Sequence, residues 1–290
     1  MPLTTTTTAS AFIPERWELK ALKGRYAKAV AMNRVTHASE GLLNYGDIYH
    51  FPVQDELTGG TITIADAEFA AESLDPTDQT VTVNTWRYVA FDIPFVTQRF
   101  ANVDLKDEYA PQVGERLAEL TDTDILSLAS SIATTNVLGN SNSPERFDDD
   151  MAFAALLILA DLDVPKSDLS FFLAPIALYE GLYTKDRWTA ANMTGLPKSV
   201  LTTGFEFPIM GVPVYTTTAL ATVAEAHRSI LAHKDWSGVV LQIKLGYEKA
   251  SRVGNLFASN LHFWHTLYGF GQLRSNHAVQ MYTRRTRAKQ

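Results

Sequence analysis

The sequence predicts an α+β fold, with strand-forming and helix-forming stretches of chain largely separate. Three observations predict it. From Gly46 to about Phe100, apolar residues alternate with polar ones at the period of two that a half-buried strand requires. Residues 102–134 carry apolar side chains every three to five positions, which is helical spacing. Residues 148–240 read as a compact α/β unit in which a buried helix is followed by short apolar strands.

Taken in order, residues 1–11 include five consecutive threonines and are too polar to bury surface, so they read as a tail. Pro14 followed by Glu15 suits a helix start. Trp17, Leu22, Tyr26, Val30 and Met32 are sparse apolar points over a segment with five basic residues. That segment reads as a short helix or an extended arm with scattered anchors. In the alternating region, Asp47–Val53, Thr61–Ile64, Thr80–Trp86 and Tyr88–Ile93 are strands, with turns at Gly59-Gly60 and Asp75-Pro76. They make a two- or three-stranded antiparallel excursion, which needs a packed face to be stable. Its charge is one-sided. Asp47, Asp55, Glu56, Asp66, Glu68, Glu72, Asp75 and Asp78 have no Lys or Arg among them. An acidic ribbon that cannot stand alone points to a partner surface.

Asp104 suits a helix N-cap, with Asp107 and Glu108 in the first turn. Leu105, Tyr109, Val113, Leu117, Leu120, Leu128 and Ile132 mark the apolar face of the helix that follows. Pro111 lies inside this pattern and predicts a kink or a restart. Asn136–Pro144 is a loop, and Asp148-Asp149-Asp150 caps a buried helix over Met151–Leu162. Leu169–Leu173 is a strand, Pro175–Leu182 a further helix, and His227–Ala232 a strand. Turns and short strands surround Gly211-Val212-Pro213-Val214-Tyr215. Val239–Leu245, Leu256–Thr266 and Leu267–Leu273 are strand-like, and Tyr282–Gln290 is a basic tail.

Composition narrows the function. The 290 residues suffice for one large domain or two small ones, and 46% hydrophobic with 20% charged residues argues against wholesale disorder. The absence of Cys excludes disulfides, thiolate zinc sites and a Cys nucleophile. A net charge of −7 argues against nucleic-acid binding by the whole surface. The longest apolar run, Met151–Ala160, falls short of the roughly 18 residues of a membrane helix. The N-terminus lacks the basic and apolar regions of a signal peptide, so a soluble, cytoplasmically made chain is expected.

A search for chemistry finds no catalytic set. There is no P-loop, and Gly269-Phe270-Gly271 lacks the third glycine and the helix of a dinucleotide cradle. His262 and His265 would point to opposite faces of a strand, which suits two partly buried histidines better than a metal site. Asp148-Asp149-Asp150 fits a helix cap better than a cation site, and no Gly-x-Ser-x-Gly elbow occurs. Asn192-Met193-Thr194 is a glycosylation sequon in letters only, and the basic tail suits nucleic acid or subunit pairing equally. An orphaned arm and ribbon without catalytic groups favour a self-associating structural protein over an enzyme.

Four motifs in order give a specific resemblance. They are Phe12-Ile13-Pro14-Glu15-Arg16-Trp17, Tyr45-Gly46-Asp47-Ile48-Tyr49-His50-Phe51-Pro52, Asn102-Val103-Asp104-Leu105-Lys106-Asp107-Glu108-Tyr109 and Gly211-Val212-Pro213-Val214-Tyr215. Over nearly its whole length the chain resembles the major capsid proteins of tailed bacteriophages with the HK97-type shell fold. The motifs are similar to that family's arm start, its step into an extended loop, the opening of its spine helix and its axial-domain strand. Pro111 departs from the family's smoother spine helix, and because the sequence opens almost at the arm, the long scaffolding segment that some members carry is not expected.

The resemblance implies an N-terminal arm over 1–44, an extended β loop over 45–98 and a peripheral domain with the spine helix over 99–145. It implies an axial domain over 146–240, with closing strands and a basic tail over 241–290. Copies would form pentamers and hexamers of an icosahedral virion shell enclosing double-stranded DNA. Scaffolding, portal and cement proteins are implied partners, and no cofactor, metal or membrane is expected. The inter-subunit contacts would fall on Phe12, Ile13, Trp17 and Leu22 of the arm and on Asp55, Glu56, Asp66, Glu68, Glu72, Asp75 and Asp78 of the ribbon. Basic groups such as Lys20, Lys23, Arg25, Lys28 or Arg99 would answer the ribbon. Residues 12–32 are expected to order only on an adjacent subunit. One family member cross-links its shell through a loop lysine. No lysine lies between Lys28 and Lys106 here, so no such bond is expected. An encapsulin-type compartment holding enzymes, and a small α/β hydrolase using one of the seven histidines, are the alternatives.

Overall fold

The computed structural model describes residues 30–38, 46–53, 57, 77–101, 105–185, 208–253 and 258–286. The chain first makes a 3₁₀ turn, Met32–Arg34, and a short strand β1, Thr36–His37. The strands β2, Ile48–Val53, and β3, Thr77–Thr82, pair antiparallel as the root of a ribbon. Strand β4, Thr85–Pro94, runs into the short helix α1, Phe95–Phe100, and then the long helix α2, Leu105–Ser127. After β5, Val137–Leu138, comes helix α3, Asp149–Asp161, and strand β6, Leu169–Leu173. The remaining strands are β7, Val214–Thr216, β8, Thr222–Val223, β9, Ala226–His233, β10, Ser237–Val253, β11, Ala258–Gln272, and β12, Ala278–Arg284.

These strands build two principal sheets. One has the order β1-β10-β11-β4, and its centre is the long antiparallel pair β10–β11. The other has the order β5-β12-β9-β6-β7, with β8 beside β9. All five residues of β6 are buried, as a central strand covered on both faces requires. Helix α3 packs on this sheet. Its N-cap is Asp148, whose carboxylate accepts from the Met151 amide at 3.1 Å. Met151, Ala155 and Leu159 meet Phe171, Leu231, Val279 and Met281 in one apolar core.

Helix α2 packs on the four-stranded sheet, with Val113 and Leu117 against Trp264, Val89 and Phe91. It runs through Pro111 as one element, so the expected restart does not occur. Pro111 is exposed, and water can solvate the Asp107 carbonyl that it leaves without its amide partner. The expected cap at Asp104 lies outside the described residues.

Four further readings are corrected. Strand β4 alternates like the ribbon but leaves it, pairing with β11 over Thr85–Pro94. Its inward residues Val89 and Phe91 are covered by α2, and that burial outweighs pairing with β3. Tyr282–Arg284 are not tail but the end of β12, between β5 and β9, because the preceding Ala278, Val279 and Met281 are core residues. The helix expected over Pro175–Leu182 forms, but not as a regular α-helix: its middle is a π segment, Ala177–Gly181, followed by a 3₁₀ turn, Leu182–Thr184. Val30–Met32 do not wait for a neighbour, since they are held within this subunit as described next.

Candidate assembly surfaces

Residues 30–37, the root of the described chain, are fixed first by one carboxylate. Asp122 of α2 is 1% exposed and accepts from the amides of Val30, Ala31 and Met32, the last two at 3.0 and 2.9 Å. The three donors begin the 3₁₀ turn, so the carboxylate serves as its cap. Burial raises the Asp122 pKa above the usual aspartate range, and the three amides oppose that shift without cancelling it. Just beyond, Thr36 and His37 pair with Gly238 and Val239 of β10. The root is therefore bracketed between helix and sheet.

A second polar contact fixes α2 to the four-stranded sheet. Arg87 of β4 grips Asp124 with two bonds, Nε at 2.8 Å and Nη2 at 2.6 Å. The fully buried Tyr268 of β11 donates its hydroxyl to the same carboxylate at 2.5 Å. Burial and the adjacent anion both raise the Tyr268 pKa, and the bonds to Asp124 raise that of Arg87. Neither Arg87 nor Asp124 stood out in the sequence. One signal was available. Asp124 occupies the i+4 step between Leu120 and Leu128, where the helical period calls for an apolar residue.

The opposite face of the sheet divides into a covered and an uncovered part. At one end Val81, Tyr49 and Phe51 of the ribbon root lie over Val240 and Ala38. The approach is close enough that a Cβ on Gly269 would stand 2.4 Å from the Thr82 carbonyl oxygen, so only glycine fits there. At the other end the same face carries Trp86 and Tyr88, each 61% exposed, beside Phe263 and His265. Phe95, Val96 and Phe100 of α1 extend the exposed apolar surface. A further apolar patch lies on α3, where Phe153 and Leu157 stand exposed beside Met210. Apolar surface grouped in this way marks sites of association.

The histidines behave as a strand dictates. His262 stacks between Phe91 and Tyr247, whose hydroxyl lies 2.9 Å from its Nδ1, whereas His265 faces Trp86 across the sheet. Among the described residues no three His, Asp or Glu side chains gather as metal ligands, and no helix is long and apolar enough to cross a membrane.

Of the contact residues expected from the sequence, Phe12, Ile13, Trp17, Leu22, Asp55, Glu56, Asp66, Glu68, Glu72 and Asp75 lie outside the described residues. Asp78 is described. It stands half exposed at the root of the ribbon and pairs with His50 of the adjacent strand.

No family model and no curated protein matches this sequence. Solved structures do match its fold from end to end. A chain of a Mycobacterium phage Che8 structure is 20% identical, with 93% of this chain and 97% of that chain covered at a TM-score of 0.76. The capsid of the cyanophage P-SCSP1u is 13% identical, with 96% and 95% covered at a TM-score of 0.74. The capsid of an empty GTA particle is 10% identical, with 98% and 100% covered at a TM-score of 0.71. The chain has the α+β, HK97-like fold of phage capsid subunits.

Proposed function

We propose that this chain is a major capsid protein, whose copies form pentamers and hexamers of an icosahedral shell around double-stranded DNA. The observation that carries this reading is the end-to-end match of whole subunit to whole subunit with solved capsids. The physical layout supports it. Exposed aromatic and aliphatic patches on β4, α1 and α3 are surfaces that neighbouring copies would bury. In this reading the six-stranded unit faces the symmetry axes and the four-stranded unit with α2 forms the periphery. The β2–β3 ribbon is the root of the extended loop, and its acidic residues meet basic groups of a neighbour. The role is architectural and not catalytic. Scaffolding, portal and cement proteins are the further partners, and the DNA is confined without sequence-specific contacts, in keeping with a net charge of −7. The enzyme-filled compartment is not favoured, because the neighbours of known description are phage and GTA capsids.

Electron microscopy of the expressed chain tests the proposal. Closed icosahedral particles are expected, and a chain that stays monomeric at high concentration would overturn it. Boiled particles should run as one band near 32.1 kDa, since no lysine lies between Lys28 and Lys106. A ladder of covalent multimers would refute the absence of cross-links.

A further inference from the structure

Helix α2 covers only part of the sheet face on which it packs. Val113 and Leu117 lie on Trp264, Val89 and Phe91. Toward the end of β10 the same face continues through Ile93, His262 and Lys249. Between it and the helices α1 and α2 lies a pocket of about 300 Å³. Ile93 and His262 are its buried floor, and Gln98, Lys106, Tyr247, Lys249 and Asn260 are its walls. Its chemistry is one-sided. Lys106 and Lys249 bring two ammonium groups, and Gln98 and Asn260 bring amide donors. The Tyr247 hydroxyl and His262 Nδ1, 2.9 Å apart, fix each other. Lys106 Nζ stands 5.3 Å from the centre of the Tyr247 ring, which holds its charge at the pocket. Among the described residues no carboxylate lines the pocket. Asp92 and Glu248 sit on the strands that build it but point to the opposite face, where Asp92 accepts from Ser259 at 2.8 Å. Asp107 approaches Lys106 to 3.7 Å, yet it stands largely in solvent.

We propose that this pocket receives a carboxylate from a second copy of the chain. The inference rests on the shell reading above and names one contact within it. Charge favours an anion, because two ammonium groups and two amides can all donate to one carboxylate in charge-assisted bonds. Composition favours a second copy as its source, since each chain carries 32 Asp and Glu against 25 Lys and Arg. Position favours a protein partner over a dissolved ion. Helix α1, which supplies Gln98, also presents Phe95, Val96 and Phe100 at 54%, 57% and 84% exposure. A protein that buries those side chains is brought to the pocket mouth, whereas a free anion or a DNA phosphate leaves them bare. The contact then has an apolar centre with a charged rim, which is the usual layout of a protein interface. The pocket is open to water through Tyr247 and Lys249, so salt should weaken this pairing.

Cross-linking of assembled particles tests the contact. Heavy-isotope-labelled and unlabelled full-length chains are mixed in equal amounts and assembled. The particles are treated with a water-soluble carbodiimide, which joins an amine to a carboxylate in contact with it as an amide. Mass spectrometry should find peptides carrying Lys106 or Lys249 joined to acidic peptides, with labelled and unlabelled partners mixed. Joined peptides of one label only would assign the carboxylate to the same subunit and overturn the proposal, as would particles in which both lysines stay unjoined. A chain that forms no particles overturns the shell reading and this contact with it. Lys106→Arg with Lys249→Arg keeps both charges and removes both amines, so it should assemble and lose the link. Lys106→Gln with Lys249→Gln removes the charges. Its particle yield at low salt should fall severalfold while the unfolding midpoint of the subunit stays unchanged, and an undiminished yield would also overturn the proposal.

Discussion

The six-stranded unit and the four-stranded unit are held together by different means. The first closes an apolar core in which Phe147, Phe171, Leu173 and Leu231 are almost completely buried under α3. The second spreads along the β10–β11 pair and α2, and two carboxylates, Asp122 and Asp124, fix its parts. It also leaves Trp86 and Tyr88 in solvent, on the same face that its ribbon covers further along. The difference teaches where stability resides. Apolar packing closes the core of the first unit under α3. Directional polar bonds fix the geometry of the second, and part of its apolar surface is left for partners.

The comparison can be tested from its strongest contrast downward. Leu231→Ala, in the apolar core, should destabilise the unassembled subunit by about 2–5 kcal/mol, measured by chemical denaturation. A loss under 1 kcal/mol would show that the core is not closely packed. Arg87→Ala leaves Asp124 buried without its cation. Arg87 is itself partly solvated, so a smaller loss of about 1–3 kcal/mol is expected. A double-mutant cycle with Tyr268→Phe should show coupling, because both donors act on one carboxylate; simple additivity would dissolve the proposed lock.

Asp122 gives a smaller, pH-dependent effect. Burial raises its pKa in the native state, so the native state holds this proton more tightly than the unfolded chain does. Its contribution is therefore most favourable below the unfolded value of about 4 and is lost as pH rises through the native value. The stability of the natural chain relative to Asp122→Asn should fall over that window. Denaturation midpoints of both proteins from acid to neutral pH check this, and a difference independent of pH would contradict it. The smallest effect on the subunit should come from Trp86→Ser with Tyr88→Ser, within about 0.5 kcal/mol because both are exposed. The yield of particles should nevertheless drop. Equal yields would remove this face from the list of contacts.

Several elements were legible because their periodicity is local. The five buried residues of β6 and the Asp148 cap of α3 follow from apolar runs and a carboxylate at a helix start. The alternation of β2 and β4 named strands correctly but not their partners. A period of two fixes which side chains share a face and leaves the neighbouring strand open. β4 pairs with β11 about 170 residues away because α2, arriving between them in sequence, covers Val89 and Phe91. β12 was partly hidden because its Tyr282-Thr283-Arg284 end is polar, although Thr283 is fully buried and bonds to Ser229 at 2.8 Å.

By itself the sequence determined the α+β class, the order of ribbon strands, long helix and compact unit, and the absence of any thiol or loop lysine. These follow from composition and short-range spacing, which need no knowledge of distant residues. Only the tertiary structure decided that Val30–Met32 belong to their own subunit, that Asp122 and Asp124 are structural anchors, and that one sheet face is half covered and half bare. The reason is physical. An exposed and a buried carboxylate are the same letter in a sequence, and what separates them is whether three amides or a guanidinium stand within hydrogen-bonding distance. That distance is set by packing between segments roughly 90 residues apart for Asp122 and 37 apart for Asp124.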